Sequence, residues 1–152
     1  MYSVSMRLKL YTCGKLKESP LLALVKDYQK RITAPLEIVE IETRGKKTDV
    51  VNKLLLQAVE KSPVLFILDE RGEQLTSKAL AGLLQRYENE GLECGFVIGE
   101  ADGLPEEIRS KATHLIAFGK ATWPHMLVRV MLLEQIYRAE SILKGHPYHR
   151  GY

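Results

Sequence analysis

Trp123-Pro124-His125, the run Leu127-Val128-Arg129, and the terminal His146-Pro147-Tyr148-His149-Arg150 hold the side chains of this chain best suited to moving protons or gripping anions. A terminus ordinarily frays and carries only solubilising charge. Two histidines, a tyrosine and an arginine gathered around Pro147 therefore mark a tail that folds back onto something. His125 falls where a loop becomes a helix, and a helix N-terminus disfavours a cationic imidazole, so a neutral ring able to accept a proton is expected there. Alone, such a histidine more often caps or packs. Arg129 lies one turn later on the same face, which puts it within reach of a phosphate that His125 also meets.

Three further segments could hold a small molecule: Asp69 to Gly72, Gly99 to Gly103, and Gly119 to Pro124. Each contains glycine and each follows a strand candidate. In an open parallel sheet, ligands bind beyond the carboxyl ends of the strands, where backbone amides and helix N-termini converge. One such glycine commonly does no more than end a strand; three such loops together point to one pocket. None reads as Gly-x-Gly-x-x-Gly or as a phosphate loop. Ile98-Gly99-Glu100-Ala101-Asp102-Gly103 instead carries two carboxylates, which repel a pyrophosphate but accept hydrogen bonds from an amine or a ribose. A cationic or neutral nucleoside ligand is favoured. Trp123, the only tryptophan, either flanks an adenine or anchors the rim.

The elements that must position these residues follow from periodicity. Alternation from Ser5 to Tyr11 predicts a strand near an edge of a sheet. Ser19-Pro20 opens a helix with Leu21, Leu24, Val25, Tyr28 and Ile32 inward. Leu36 to Glu42 alternates again, and Thr48-Asp49 is expected to cap a helix that turns Val51, Leu54, Leu55, Ala58 and Val59 inward. Val64 to Leu68 and Cys94 to Ile98 are apolar on both faces, the mark of central parallel strands covered by helices. Between them, Thr76 or Ser77 caps a helix that Gly91 ends. Pro105 starts a short helix, His114 to Phe118 is a last strand, and a final helix runs from His125 to about Leu143. Its apolar band is wider than one core-facing stripe requires, which suggests a second buried surface, most simply against a copy of itself. A helix wedged between layers would look similar. Strands alternating with helices indicate an α/β fold on a largely parallel sheet, and the absence of a linker or repeat assigns residues 1–152 to one domain.

With 152 residues and a net charge of +3, the chain is long enough to bury a core without metals or disulfides. Cys13 and Cys94 lie far apart, no signal-peptide pattern opens the chain, and no apolar run approaches the roughly 20 residues that span a bilayer. A soluble, reducing, cytoplasmic setting is expected, with no metal and no membrane. The charge is too small to argue for a polyanion by itself. Its placement is more telling: Arg44, Lys46 and Lys47 surround Gly45 in one loop, and Arg138, Lys144 and Arg150 join Arg129 in the C-terminal segment.

Leu68-Asp69-x-x-Gly72, Ile98-Gly99-x-x-x-Gly103, Pro124-His125-x-Leu127-Val128-Arg129 and the terminal His-Pro-Tyr-His-Arg together resemble the large-subunit rRNA pseudouridine N3-methyltransferases, the RlmH group of the SPOUT superfamily. The likeness covers essentially the whole chain. It implies a SPOUT-type α/β knot: a mostly parallel sheet of five or six strands flanked by helices, its C-terminal half tied in a trefoil knot that connection rules alone would reject. It implies S-adenosylmethionine held by Leu68, Gly99, Glu100, Gly103, Gly119, Lys120, Ala121, Thr122, Trp123 and Pro124. The implied substrate is a pseudouridine in a stem-loop of large-subunit rRNA on the assembled ribosome. His125, Tyr148 and Arg150 would carry the chemistry, with Arg129, His149, Arg44 and Lys46 on the RNA and a homodimer formed through the C-terminal helix. The family usually has Gly-Gly where this chain has Gly99-Glu100, so a side chain projects where close backbone approach is expected. A related enzyme acting on another RNA such as tRNA would lack the terminal motif, and a non-catalytic ribosome-binding factor would show a damaged cofactor loop.

Overall fold

The computed structural model describes residues 6–100 and 103–150. Five strands and five helices alternate: β1 (Leu8–Cys13), α1 (Pro20–Arg31), β2 (Leu36–Ile41), α2 (Thr48–Val59), β3 (Val64–Glu73), α3 (Ser77–Asn89), β4 (Cys94–Ile98), α4 (Glu106–Arg109), β5 (His114–Ile116) and α5 (His125–Leu143). The sheet order is β2-β1-β4-β3-β5, and every neighbouring pair is parallel. The expectation of a parallel sheet between helical layers holds.

Alternate side chains of each strand feed two cores, one per sheet face. Leu8, Leu10, Phe66, Phe96 and Ile98 meet α1, α3 and α5 on one side. Tyr11, Cys13, Leu65, Ile67 and Val97 meet α2 and α4 on the other. Because β3 and β4 are covered on both faces, their sequences show no alternation.

Several boundaries differ from those read off the sequence. β1 is paired on both sides, with β2 as the edge strand. Asp69 to Gly72 is no free loop: β3 continues to Glu73 through an irregularity in which Leu68 and Glu73 both partner Ile116. A Cβ at Gly72 would stand 2.5 Å from the Ile116 carbonyl carbon, so this crossing admits only glycine. Ser19 and Thr76 cap α1 and α3 by accepting from Leu22 N and Ala79 N, whereas α2 begins at Thr48 itself, and Lys47 occupies the cap position without a side-chain bond.

α5 accounts for much of its own apolar excess. It lies in the groove between α1 and α3 and buries Val130, Leu132, Leu133, Ile136 and Ala139. Glu140 is buried as well, and its carboxylate accepts from Thr33 N, Thr33 Oγ1 and Ala34 N at 2.8–3.2 Å. Those bonds satisfy donors where the chain leaves α1, so the charge is well held. Leu127 and Met131, four residues apart on the outward stripe, stay half-buried.

His114 on β5 stacks on Phe66 at 4.9 Å, and its Nε2 lies 2.6 Å from the Tyr87 hydroxyl. Burial, then the charge of Arg86, holds the imidazole below its ordinary value of 6.5. The unfolded chain thus takes up the proton more readily than the folded one. The neutral ring contributes fully above 6.5, and stability falls as pH drops below that value. Melting temperature should decline between about pH 7.5 and about pH 5.5, and His114→Phe should flatten the decline. An unchanged slope in the variant would assign it to other groups.

Candidate active site

At the carboxyl edge of the sheet, the ends of β3, β4 and β5 and the first turn of α5 enclose a cleft of about 210 Å³. Leu68, Gly99, Glu100, Gly103, Gly119, Ala121, Thr122 and Trp123 line it, and His125 joins them. Eight of the ten residues named for the cofactor, together with the candidate base, therefore share one wall. Lys120 and Pro124 do not line it; Pro124 occupies the cap position of α5. Asp69, Glu70 and Arg71 of the first expected segment line it too, though none was named singly for the cofactor; Leu104, Phe118 and Val128 were not named for it at all. Their signal was the loop pattern itself, which marks segments and leaves the orientation of each side chain open.

The walls are fixed locally. Arg71 grips Asp69 with two bonds of 2.9 and 3.0 Å, and this guanidinium, aided by the Arg71 amide, holds the Asp69 carboxyl below the usual range. Thr122 Oγ1 donates to Glu70 at 3.2 Å. Trp123 Nε1 donates to Phe118 O at 2.9 Å, which anchors one edge of a ring that remains 43% exposed. Gly119 has φ of +86°, and among the described residues no atom beyond its chain neighbours lies within 4 Å of where a Cβ would stand. Its backbone faces free space. Gly99 serves another purpose than cofactor approach alone, since Leu104 packs over it and a Cβ would meet that side chain at 2.7 Å. Glu100 is exposed.

Arg129 is not where a phosphate could reach it. Only 2% exposed, it donates through Nη1 to Glu40 Oε2 at 2.6 Å and through Nη2 to Gly14 O at 3.2 Å. Position on the helix explains this: Arg129 shares a face with His125 but sits one turn deeper, where α5 passes over the ends of β1 and β2. The reading of Arg129 as an RNA contact is replaced by a structural one, an internal tie between those strands and the helix.

The tail does fold back, but onto α5 of its own chain. Tyr148 Oη donates to Glu134 at 2.6 Å. Arg138 donates to the same carboxylate, stands 4.7 Å over the Tyr148 ring and meets His149 Nδ1 at 3.2 Å. Glu134, followed by burial, raises the Tyr148 phenol above its ordinary range. Nine residues of helix separate Glu134 from His125, about 14 Å at 1.5 Å per residue. Tyr148, His149 and Arg150 are therefore absent from the lining of their own chain's cleft. His149 Nε2 is buried and finds no partner among the described residues. Arg44 and Lys46 are exposed in the loop after β2.

Residues 6–149 match the family model described as "Predicted SPOUT methyltransferase". The chain belongs to the SPOUT methyltransferase family. Among its relatives, a protein of Rhodospirillum centenum named Ribosomal RNA large subunit methyltransferase H is 47% identical over 152 residues, covering 96% of this chain and all of that one. One of the same name from Erythrobacter litoralis is 47% identical over 148 residues, covering 96% and 99%. Solved structures agree in fold at low identity. A methylase family protein of Neisseria gonorrhoeae superposes with a TM-score of 0.60 at 11% identity, covering 87% of this chain and 82% of that one. The SpoU methyltransferase AviRb of Streptomyces viridochromogenes, solved with AdoMet, gives 0.50 at 10% identity, covering 92% and 59%.

Proposed function

We propose that this SPOUT methyltransferase transfers a methyl group from S-adenosylmethionine to N3 of a pseudouridine in large-subunit rRNA on the ribosome, in the cytoplasm. The observation that carries this reading is the convergence of three strand-end loops and His125 on one cleft. Relatives 40–47% identical over nearly their full length bear the name of a large-subunit rRNA methyltransferase, which supports the substrate.

The lining suits the cofactor. Leu68, Ile98, Leu104, Phe118 and Trp123 offer apolar walls to an adenine, and Glu70 and Glu100 offer acceptors to a ribose or an amine. The bare backbone at Gly119 leaves room for close approach. Bound there, S-adenosylmethionine supplies an electrophilic methyl on a cationic sulfur. The protein's part is to hold the base in line and to take the weakly acidic N3 proton. His125 is assigned the proton, at a ring nitrogen. Tyr148 is a poor acceptor, because its hydroxyl donates to Glu134 and its phenol is held protonated.

Arg150 is assigned to a phosphate or a base carbonyl, and His149, Arg44 and Lys46 to RNA. Because the tail is anchored at Glu134 and Arg138, about 14 Å along the helix from His125, it serves the cleft of a second subunit. The homodimer forms through the outward stripe of α5, where Leu127 and Met131 lead toward Glu134 and the tail. The C-terminal trefoil knot of the family belongs to the same reading.

Transfer of labelled methyl to ribosomes lacking this modification, with the product nucleotide mapped by mass spectrometry, tests the proposal. His125→Ala should lower kcat by about 10² or more while leaving the circular dichroism spectrum and cofactor affinity unchanged. Absence of label despite cofactor binding would point to another RNA, and absence of cofactor binding to a non-catalytic factor.

A further inference from the structure

A second, larger cavity of about 530 Å³ adjoins the cofactor cleft. It opens between the loops that follow β1 and β2 and the start of α5. Glu100 and His125 line both spaces, so these two side chains form the partition. Around the second mouth stand Lys15, Lys17 and Arg44, with Lys46 and Lys47 beyond them in the same loop. All five are exposed, and none takes part in an ion pair among the described residues.

The acidic residues of this cavity are disposed differently. Glu18 pairs with Lys26 at 3.9 Å. Glu42 accepts the Arg44 amide at 2.9 Å, which with the nearby Arg44 and Lys46 charges holds its carboxyl below the ordinary range. Glu100 remains, at the inner wall against the cofactor cleft. The cavity therefore carries unpaired cations on the loops after β1 and β2 and a carboxylate, Glu100, on the side it shares with the cofactor cleft, with Leu16, Leu22 and Met126 also in its lining.

We propose that this second cavity receives the target nucleotide, entering base first, with its flanking phosphates on Lys15, Lys17 and Arg44 and a ring N–H directed at Glu100. The proposal rests on the RNA methyltransferase reading and deepens it by assigning the substrate's own site. A phosphate at the inner wall would face Glu100 and be repelled, whereas a uracil-type ring offers N–H donors to it. Extrusion of the target base into a pocket is what chemistry on a structured RNA demands. An occupant so placed lies across the partition from the cofactor, beside His125. Lys15 and Lys17 thereby become substrate-binding residues, held in place from below by the Arg129–Glu40 tie, since Glu40 also accepts the Leu16 amide at 3.0 Å.

The test uses the full chain and ribosomes lacking the modification, with two readouts: co-sedimentation for binding and labelled methyl transfer for catalysis. A Lys15→Ala/Lys17→Ala variant should bind ribosomes about 10-fold more weakly, with a salt dependence shallower by about 1 to 2 in log–log slope. KM should rise by a similar factor, S-adenosylmethionine affinity should stay the same, and Lys→Arg at both positions should restore binding. A control variant, Lys78→Ala/Lys111→Ala, removes two exposed charges elsewhere and should change neither readout. Equal losses in both variants, or unchanged binding and salt slope in the first, would overturn the cavity assignment while normal wild-type transfer left the enzyme reading standing. Conversely, wild-type binding that weakens in the Lys15/Lys17 variant without any methyl transfer would retain the RNA cavity and remove the methyltransferase reading on which the base-first pose depends.

Discussion

Arg129→Met should lower the stability of the folded chain by about 3 kcal/mol, which for a protein of this size is a fall in Tm of about 10 °C. The substitution keeps much of the side-chain volume, so the loss comes chiefly from electrostatics. Glu40 is left without the guanidinium 2.6 Å away, and Gly14 O loses a donor. Arg129 Nε is itself buried without a partner among the described residues, so the tie already includes one unmet donor and its net worth is smaller than its geometry suggests. Glu40 keeps a third of its side-chain exposure, hence a figure at the low end for a broken buried pair. An arginine engaged with RNA phosphate would behave in the opposite way, with Tm unchanged and substrate binding weakened. Thermal melting of the purified variant separates the two.

Mixing subunits gives the second large effect. His125→Ala chains and chains carrying Tyr148→Phe with Arg150→Ala should each be inactive or nearly so, down by about 10² or more. Co-refolded in equal amounts, they should recover about a quarter of wild-type activity, because half the dimers are mixed and each mixed dimer has one intact composite site. The reasoning is geometric: a tail anchored at Glu134 and Arg138 cannot line the cleft at the far end of the same helix. Were the tail to act on its own subunit, no mixed dimer would contain an intact site and no activity would return. Size-exclusion chromatography of each parent shows whether the dimer itself has formed.

The strands and helices were largely legible because their signals are local. β4 and α5 were read with the limits they have: the first is apolar on both faces between turn residues, and the second is bounded by Pro124 and Gly145. The three loops that line the cleft were legible for the same reason, as glycine-bearing segments at strand ends. What escaped was whatever depends on a distant partner. Nothing near Arg129 in sequence announces Glu40, 89 residues upstream, so helical spacing alone put the arginine beside a phosphate. The continuation of β3 through Asp69-Glu70-Arg71-Gly72 contradicts strand propensity and exists because β5 lies against it. Tyr148 was read as catalytic and His149 as an RNA contact, but only the fold shows that their first partners are Glu134 and Arg138. Lys15 and Lys17 carry no motif and were not singled out; only the fold brings the loops after β1 and β2 to the cavity that Glu100 also lines.

The bonds between Glu140 and residues 33 and 34 bear on how the chain is made. Synthesis proceeds from the N-terminus, yet β1 waits for β4 before it is flanked on both sides, and the turn after α1 waits for a carboxylate from the last helix. The layer formed by α1 and α3 cannot be closed until α5 seats in the groove between them, so the contacts of that layer form after those of the strands. A prematurely stopped message thus yields a product with its apolar groove open, a substrate for proteases and not a weakened enzyme.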